Sequence, residues 1–374
     1  MPTKAPKIAL VTDWLTNMGG AEPVLLAIHN LFPSAPIYTS VYDKKNMPAF
    51  HGIDVRPHEG LEKRLPKSLK YKHALWPIVR ARAFRQMDLS EFDVIISTSS
   101  AEAKAVRKTR PGQIHIAYIH TPIRYYWSHY EEFRKEFSFG KLTPLIRPFI
   151  PLLVKHQRKL DLDSTKDIDV FIANSTVTQQ RIKKYYGKPS TVVYPGVDVS
   201  RFTPPPKGER NGYVLWGRHV PYKRFDLAIQ AANKLKVPLT VIGSGPDTER
   251  LKKLAGPTIT FTGRVSDEEL VKRAQSAKAF LFPNEEDFGI SAVEALAAGT
   301  PVIAFAKGGA LDIIQDGETG VLFKEQTVDS LIQAIKKADK IDFLPATLHR
   351  KAKRFDKSLF ATKMRKIISD NIPT

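Results

Sequence analysis

The feature that most limits what this chain can become is a repeated alternation. Short, continuous apolar runs are separated by helix-length segments from one end to the other. Strands covered on both faces by crossover helices read this way, so the pattern predicts parallel sheets flanked by helices. In the first half the runs are Lys7–Thr12, Pro36–Ser40, Asp93–Ser97, Ile114–Ile119 and Val170–Ala173. Several end in small or polar residues suited to βα turns: Asp13, Thr98-Ser99-Ser100, His120-Thr121 and Asn174-Ser175. In the second half they are Tyr213–Trp216, Leu239–Ile242, Ile259–Thr262, Ala279–Phe282, Val302–Phe305 and Gly320–Phe323. Helices are expected over Phe225–Lys234 and Ser266–Ala277, the latter opening with Ser266 and Glu269 at capping-box spacing.

The alternation breaks once. Val192-Val193-Tyr194-Pro195-Gly196-Val197-Asp198 is followed by Phe202-Thr203-Pro204-Pro205-Pro206, and consecutive prolines continue neither a helix nor a central strand. A chain of 374 residues also exceeds a comfortable single core. The expected architecture is α/β, with two doubly wound Rossmann-like domains facing each other across a cleft. The boundaries are 1–195, 196–355, and a C-terminal helix in 356–374 leaning back on the first domain. Ligands of such sheets sit beyond the carboxyl ends of the strands.

Composition narrows the function classes. There is no cysteine, which excludes disulfides and thiolate metal sites. The N-terminus runs from Met1 almost directly into an apolar strand, so no signal peptide is expected. Leu142–Val154 comes nearest to a membrane span, and Pro144, Arg147, Pro148 and Pro151 interrupt it. The net charge of +20 favours anionic partners. Leu61–Gln86 carries Lys63, Arg64, Lys67, Lys70, Lys72, Arg80, Arg82 and Arg85 against Glu62 alone, interleaved with apolar residues. Lys141–Lys159 mixes Leu145, Ile146, Phe149, Ile150, Leu152 and Leu153 with Lys141, Arg147, Lys155, Arg158 and Lys159. Two readings stand for both stretches: solvated helical faces packed on a core, or basic amphipathic surfaces resting on an anionic membrane leaflet. The Asp161-Leu162-Asp163 pair reads as solvated acids on a charged helix.

The chemistry concentrates in Phe282-Pro-Asn-Glu-Glu-Asp-Phe-Gly-Ile-Ser-Ala-Val-Glu-Ala-Leu-Ala-Ala-Gly-Thr-Pro301. A strand ends, an acidic loop holds Glu285, Glu286 and Asp287, and a helix begins near Gly289. The first amides of that helix lack intrahelical partners and its dipole favours negative charge, which suits a diphosphate. Glu286 lies before the helix and Glu294 within its early turns, so they can reach opposite ends of an extended ligand.

This segment resembles the signature of retaining family 4 glycosyltransferases, which have the GT-B fold. Glu286, Glu294, Gly299-Thr300-Pro301-Val302-Ile303-Ala304, Gly308-Gly309 and Ile314-Gln-Asp-Gly-Glu-Thr-Gly320 carry the resemblance. Gly217-Arg218 and Lys223 resemble the family's cationic pair on the donor diphosphate. Gly243-Ser244-Gly245-Pro246 resembles its next βα turn, and Gly263-Arg264-Val265 the strand end that reads the nucleobase. Gly19-Gly20-Ala21-Glu22 resembles its N-terminal glycine loop, and lacks a full dinucleotide fingerprint. His120-Thr121-Pro122 with Arg124, Tyr125, Tyr126 and Trp127 resembles a segment of bacterial mannosyltransferases of the family.

The resemblance implies transfer of a hexose, in the first instance mannose from GDP-mannose, onto a glycan or lipid-linked acceptor of cell-envelope polysaccharide or glycolipid synthesis. It implies catalytic roles for Glu286, His120, Arg218 and Lys223. Donor binding falls to Gly19, Gly20, Arg218, Lys223, Gly243, Arg264, Val265, Phe288, Gly289, Ile290, Ser291 and Glu294, with Glu294 on the ribose hydroxyls. No metal or other cofactor is expected, because Arg218, Lys223 and the helix start can neutralise a departing diphosphate. The expected location is cytoplasmic, on the inner face of an anionic membrane. Two other functions remain open: a sugar-nucleotide epimerase or hydrolase on the same architecture, and a basic nucleic-acid-binding protein. No recognised nucleic-acid module or aromatic stripe supports the second, so no nucleic-acid partner is expected.

Overall fold

The computed structural model describes residues 6–60, 77–136, 143, 147–205 and 208–372. The chain divides into two compact units, Met1–Tyr194 with Ala361–Thr374, and Pro195–Phe360.

The first unit is built on seven strands: β1 (Ile8–Thr12), β2 (Ile37–Thr39), β3 (Val55–Pro57), β4 (Val94–Ser99), β5 (Ile114–Ile119), β6 (Val170–Ala173) and β7 (Thr191–Val192). They lie in the order β3-β2-β1-β4-β5-β6-β7, every pair parallel. Every residue of β1 and β4 is buried, as expected of strands sandwiched between helical layers. The hydroxyls that close these strands pair across the sheet, Thr98 donating to Thr12 Oγ1 at 3.2 Å.

The second unit holds β8 (Tyr213–Trp216), β9 (Leu239–Ile242), β10 (Ile259–Gly263), β11 (Ala279–Phe282), β12 (Val302–Phe305) and β13 (Gly320–Phe323). Their order is β10-β9-β8-β11-β12-β13, again all parallel. Both sheets therefore wind outward in two directions from a central pair, β1/β4 and β8/β11. The crevice beyond the carboxyl ends of that pair is where doubly wound sheets take ligands. Helices Phe225–Leu235 and Val328–Ala338 pack on one another, and Ser266 caps Asp267–Ser276 by accepting the Glu269 amide at 3.3 Å.

Two edge strands lie outside the sequence expectation. β3 and β7 are three and two residues long, neither fully buried, and β3 ends in Pro57. An edge strand has one neighbour and needs no long apolar run, so its pattern is faint.

The proline-bounded crossing into the second unit is clamped at its start. Val197 donates its amide to Phe355 O at 2.9 Å, and Lys357 donates to Val197 O at 3.0 Å. A β-carbon on Gly196 would stand 2.9 Å from Lys357 Cα, so only glycine lets the two segments approach this closely. The final helix, Lys357–Asn371, begins at this clamp. Its first four residues belong to the second unit and the rest, from Ala361, to the first.

Candidate functional site

In the second unit the β8/β11 switch point gathers four βα turns. The turn after β8 carries Gly217, Arg218 and Lys223, and the turn after β9 carries Gly243 and Gly245. The acidic loop follows β11, and Gly308-Gly309 follow β12. The turns nest through backbone. A β-carbon on Gly308 would lie 2.1 Å from Glu286 O, and one on Gly309 2.1 Å from Phe288 O. Gly309 donates its amide to Glu286 O at 2.9 Å, which fixes the acidic loop from behind.

On that scaffold the structure brings Lys223 and Glu286 together. Lys223 sits in a 3-10 turn, Pro221–Lys223, and its Nζ lies 3.0 Å from Glu286 Oε1. Each side chain is about a fifth exposed, at 18% and 17%, so the pair is accessible to an incoming ligand. Arg218 is exposed, with its backbone next to the fully buried His219. Gly289 begins the helix Ile290–Ala297 in a left-handed conformation (φ 109°) and supplies no side chain to cap the first turn. Ile290 and Ser291 form that first turn and remain partly exposed, whereas Phe288 is buried edge-on against Phe355. The arrangement offers an anion a cationic side chain and a helix N-terminus side by side.

Glu294 lies in the next turn of the same helix. Its Oε2 accepts the Trp216 indole N–H at 3.1 Å. Burial pushes the Glu294 carboxyl up, and the Trp216 hydrogen bond partly offsets this. Arg264 and Val265 follow β10, Arg264 exposed and Val265 half-buried. Among the described residues no group of three or more His, Asp and Glu side chains is placed to hold a metal ion.

In the first unit, His120 directly follows β5. Its amide donates to Ser99 O at 2.9 Å, its carbonyl accepts from Thr178 Oγ1 at 3.2 Å, and its ring meets Tyr118 edge-on at 5.3 Å. Gly19 and Gly20 are exposed ahead of helix Ala21–His29, and the Gly19 amide donates to Glu22 Oε2 at 2.6 Å. Asn174-Ser175-Thr176 forms a βα turn in which Ser175 caps helix Thr176–Tyr186 through the Thr178 amide.

A buried polar network beside the β1 and β4 ends escapes sequence reasoning. Asp13 accepts the amides of Ser100 (2.7 Å), Ala101 (3.0 Å) and Ala103 (2.6 Å). Lys104, 1% exposed, pairs with Asp161 at 2.7 Å. Asp161 also accepts from Trp127 Nε1 (2.7 Å) and the Tyr186 hydroxyl (2.9 Å). The expectation that Asp161 is solvated is thus wrong: three scattered residues, Lys104, Trp127 and Tyr186, converge on it, and no local pattern announces such convergence. Asp163 keeps partial exposure and pairs with Arg85. The basic stretch also needs correcting. Arg80 is buried, paired with Glu102 at 2.9 Å and stacked over Trp14, so it contributes no surface charge. Lys63, Arg64, Lys67, Lys70 and Lys72 lie outside the described residues, as do Lys141, Leu145 and Ile146.

Comparison with known proteins bears on this geometry. The Glycosyltransferase Family 4 model matches residues 18–201, and the model for glycosyl transferases group 1 matches 197–355. Anabaena HepE, solved in complex with UDP, superposes with a TM-score of 0.70 at 18% identity, covering 97% of this chain and 100% of that one. A GDP-mannose-dependent alpha-(1-6)-phosphatidylinositol monomannoside mannosyltransferase of Mycobacterium tuberculosis is 33% identical over 198 residues, 45% of this chain and 51% of that protein. A D-inositol 3-phosphate glycosyltransferase of a Nocardioides species is 31% identical over 193 residues, 41% and 42% of the two chains. The chain spans about half the length of the curated relatives it matches.

The paired parallel sheets and the superposition define the class, a GT-B fold. With both family models matched end to end across most of its length, the chain belongs to family 4 of the glycosyltransferases.

Proposed function

We propose that the chain transfers a hexose, in the first instance mannose from GDP-mannose, to a hydroxyl of a glycan or lipid-linked acceptor, with retention of anomeric configuration. The observation that carries this is the meeting of Lys223 and Glu286 at the β8/β11 switch point, beside the open start of helix Ile290–Ala297. A diphosphate placed there gains a cation and helix amides, and the adjacent carboxylate is free to orient sugar hydroxyls. The mannosyltransferase likeness supports the choice of donor.

In the proposed reaction the bond between the anomeric carbon and the diphosphate oxygen breaks, and a bond to the acceptor oxygen forms on the same face. The acceptor proton passes to the departing phosphate. Lys223, Arg218 and the amides around Ile290 and Ser291 stabilise that leaving group without a metal. Glu294 holds the ribose and Glu286 orients the hexose. Gly243, Arg264 and Val265 line the nucleotide, and Phe288 supports the acidic loop.

The acceptor side of the proposal is an anionic membrane on the cytoplasmic face. Among the described residues no helix is long and apolar enough to cross a membrane. Phe149, Leu152 and Leu153 stand 63%, 68% and 49% exposed at the start of helix Ile150–Asp163 and beside it, together with exposed Arg147, Lys155 and Lys159. Apolar side chains flanked by cations suit an anionic interface.

The test is a donor screen: thermal shift with UDP, GDP and ADP and their sugars, then product analysis with and without acceptor, in excess EDTA. A shift with GDP-mannose and metal-free transfer to acceptor support the assignment. Strict dependence on magnesium or manganese, or hydrolysis unaffected by acceptor, refutes it. The same assay with UDP-sugars decides the base.

A further inference from the structure

Trp216 closes β8, and its ring is nearly buried, 7% exposed, against Phe280 at 4.1 Å between centroids. Packing alone would account for an aromatic residue there. The indole N–H has a further role, because it points at Glu294 Oε2. An indole nitrogen donates and never accepts. It therefore commits Oε2 to accepting and stops the carboxylate from turning, which leaves Oε1 to whatever binds above the helix. A threonine, glutamine or water in the same place could reverse its role and let a protonated carboxyl settle in.

We propose that Trp216 is a positioning residue: its indole N–H holds Glu294 so that Oε1 is preset, as an acceptor, for the two neighbouring hydroxyls of a ribonucleotide's ribose. This rests on the reading of Glu294 as the ribose-binding carboxylate. The electrostatics agree. Burial raises the Glu294 carboxyl, Trp216 lowers it by hydrogen bonding, and of the charged groups nearby Arg201 and Lys223 favour the carboxylate whereas Asp267 opposes it. Arg201 is itself occupied by Asp267 at 3.1 Å, and Lys223 by Glu286. The indole is the direct hydrogen bond that favours the charged form of this carboxylate against the effect of burial, and it fixes the orientation of Oε2.

The experiment is calorimetry on full-length W216F, which keeps an aromatic ring against Phe280 and deletes the donor. The probes are UDP, GDP and ADP, and the 2′,3′-dideoxy counterpart of whichever binds tightest. Loss of one charge-assisted hydrogen bond is expected to weaken the ribonucleotide about tenfold. The dideoxy compound should bind as in wild type, so the preference for ribose collapses. The pH below which ribonucleotide binding fades should move upward, since the carboxyl loses the donor that lowers it. In an E294Q background W216F should add no further loss. Should the phenylalanine variant fold poorly, benzothienylalanine at position 216 is isosteric with tryptophan and lacks the N–H. Equal weakening of both nucleotides, or a retained ribose preference, overturns the inference alone. Wild type with no ribose preference overturns the Glu294 assignment and the inference with it. Wild type binding none of the three diphosphates overturns the proposed function as well.

Discussion

Glu286→Gln should change binding and catalysis in opposite directions. Lys223 Nζ is held 3.0 Å from Glu286 Oε1, with both side chains about four-fifths covered. A diphosphate arriving at this turn competes with Glu286 for the ammonium. A pair this accessible is worth about 1 kcal/mol, between the exposed and the buried limits. Glutamine keeps the shape and removes the charge, so Lys223 is released. Nucleoside diphosphate affinity should rise by up to about fivefold, which is that 1 kcal/mol expressed as an equilibrium constant. Turnover should fall by about a hundredfold or more, because the carboxylate proposed to orient the hexose is gone. Calorimetry with the diphosphate alone reads the first effect and steady-state rates with the nucleotide sugar read the second. Weaker diphosphate binding in E286Q would refute the competition argument. Unchanged turnover would refute the assignment of Glu286 to the sugar.

Three further expectations follow from the same unit. The double variant R218A/K223A should fold normally and lose on the order of 2–4 kcal/mol of transition-state stabilisation, seen as a large fall in kcat/KM with an unaltered melting curve. Glu294→Gln should weaken nucleotide binding yet melt at or above the wild-type temperature near neutral pH. Its carboxyl is raised in the fold by burial, so the protonated form favours folding, and that benefit is lost as pH rises through the folded value. A melting temperature that falls at pH 7 and is insensitive to pH would contradict this. Gly308→Ala should lower activity more than stability, because its β-carbon would meet Glu286 O at 2.1 Å from a left-handed position (φ 66°) and shift the acidic loop. Wild-type turnover in that variant would show that the loop's placement is immaterial.

The central strands were legible because a strand covered on both faces must be apolar throughout. Ile114–Ile119, Tyr213–Trp216 and Val302–Phe305 have the bounds their apolar runs suggest. β3 and β7 were not, because an edge strand is specified mainly by its neighbour. Much of the candidate site was visible for a related reason. Lys223, Glu286 and Gly289 sit in turns directly after strands, where a polar or glycine residue interrupts an apolar pattern. Their meeting was not visible, since it depends on how separate turns nest on Gly243, Gly308 and Gly309. Asp161, Lys104, Arg80 and Glu102 were misread or passed over. A charged residue on a helix reads as solvated, and the partners that bury it, such as Trp127 and Tyr186, lie tens of residues away. Trp216 was seen only as the end of a strand, because the hydrogen bond of its indole to Glu294 is a tertiary fact.

The interleaving of the two units carries a consequence for synthesis. The second unit is continuous in sequence, Pro195–Phe360, whereas the first is split and reclaims Ala361–Thr374. Met364 and Ile368, both buried on that stretch, are translated after the whole of the second unit. The first unit to be translated is therefore the last to be completed. While the second unit emerges and folds, the seven-stranded sheet waits without its closing helix segment. A chain halted before Ala361 would carry a finished second unit and a first one with an uncovered apolar seam, open to chaperones and proteases.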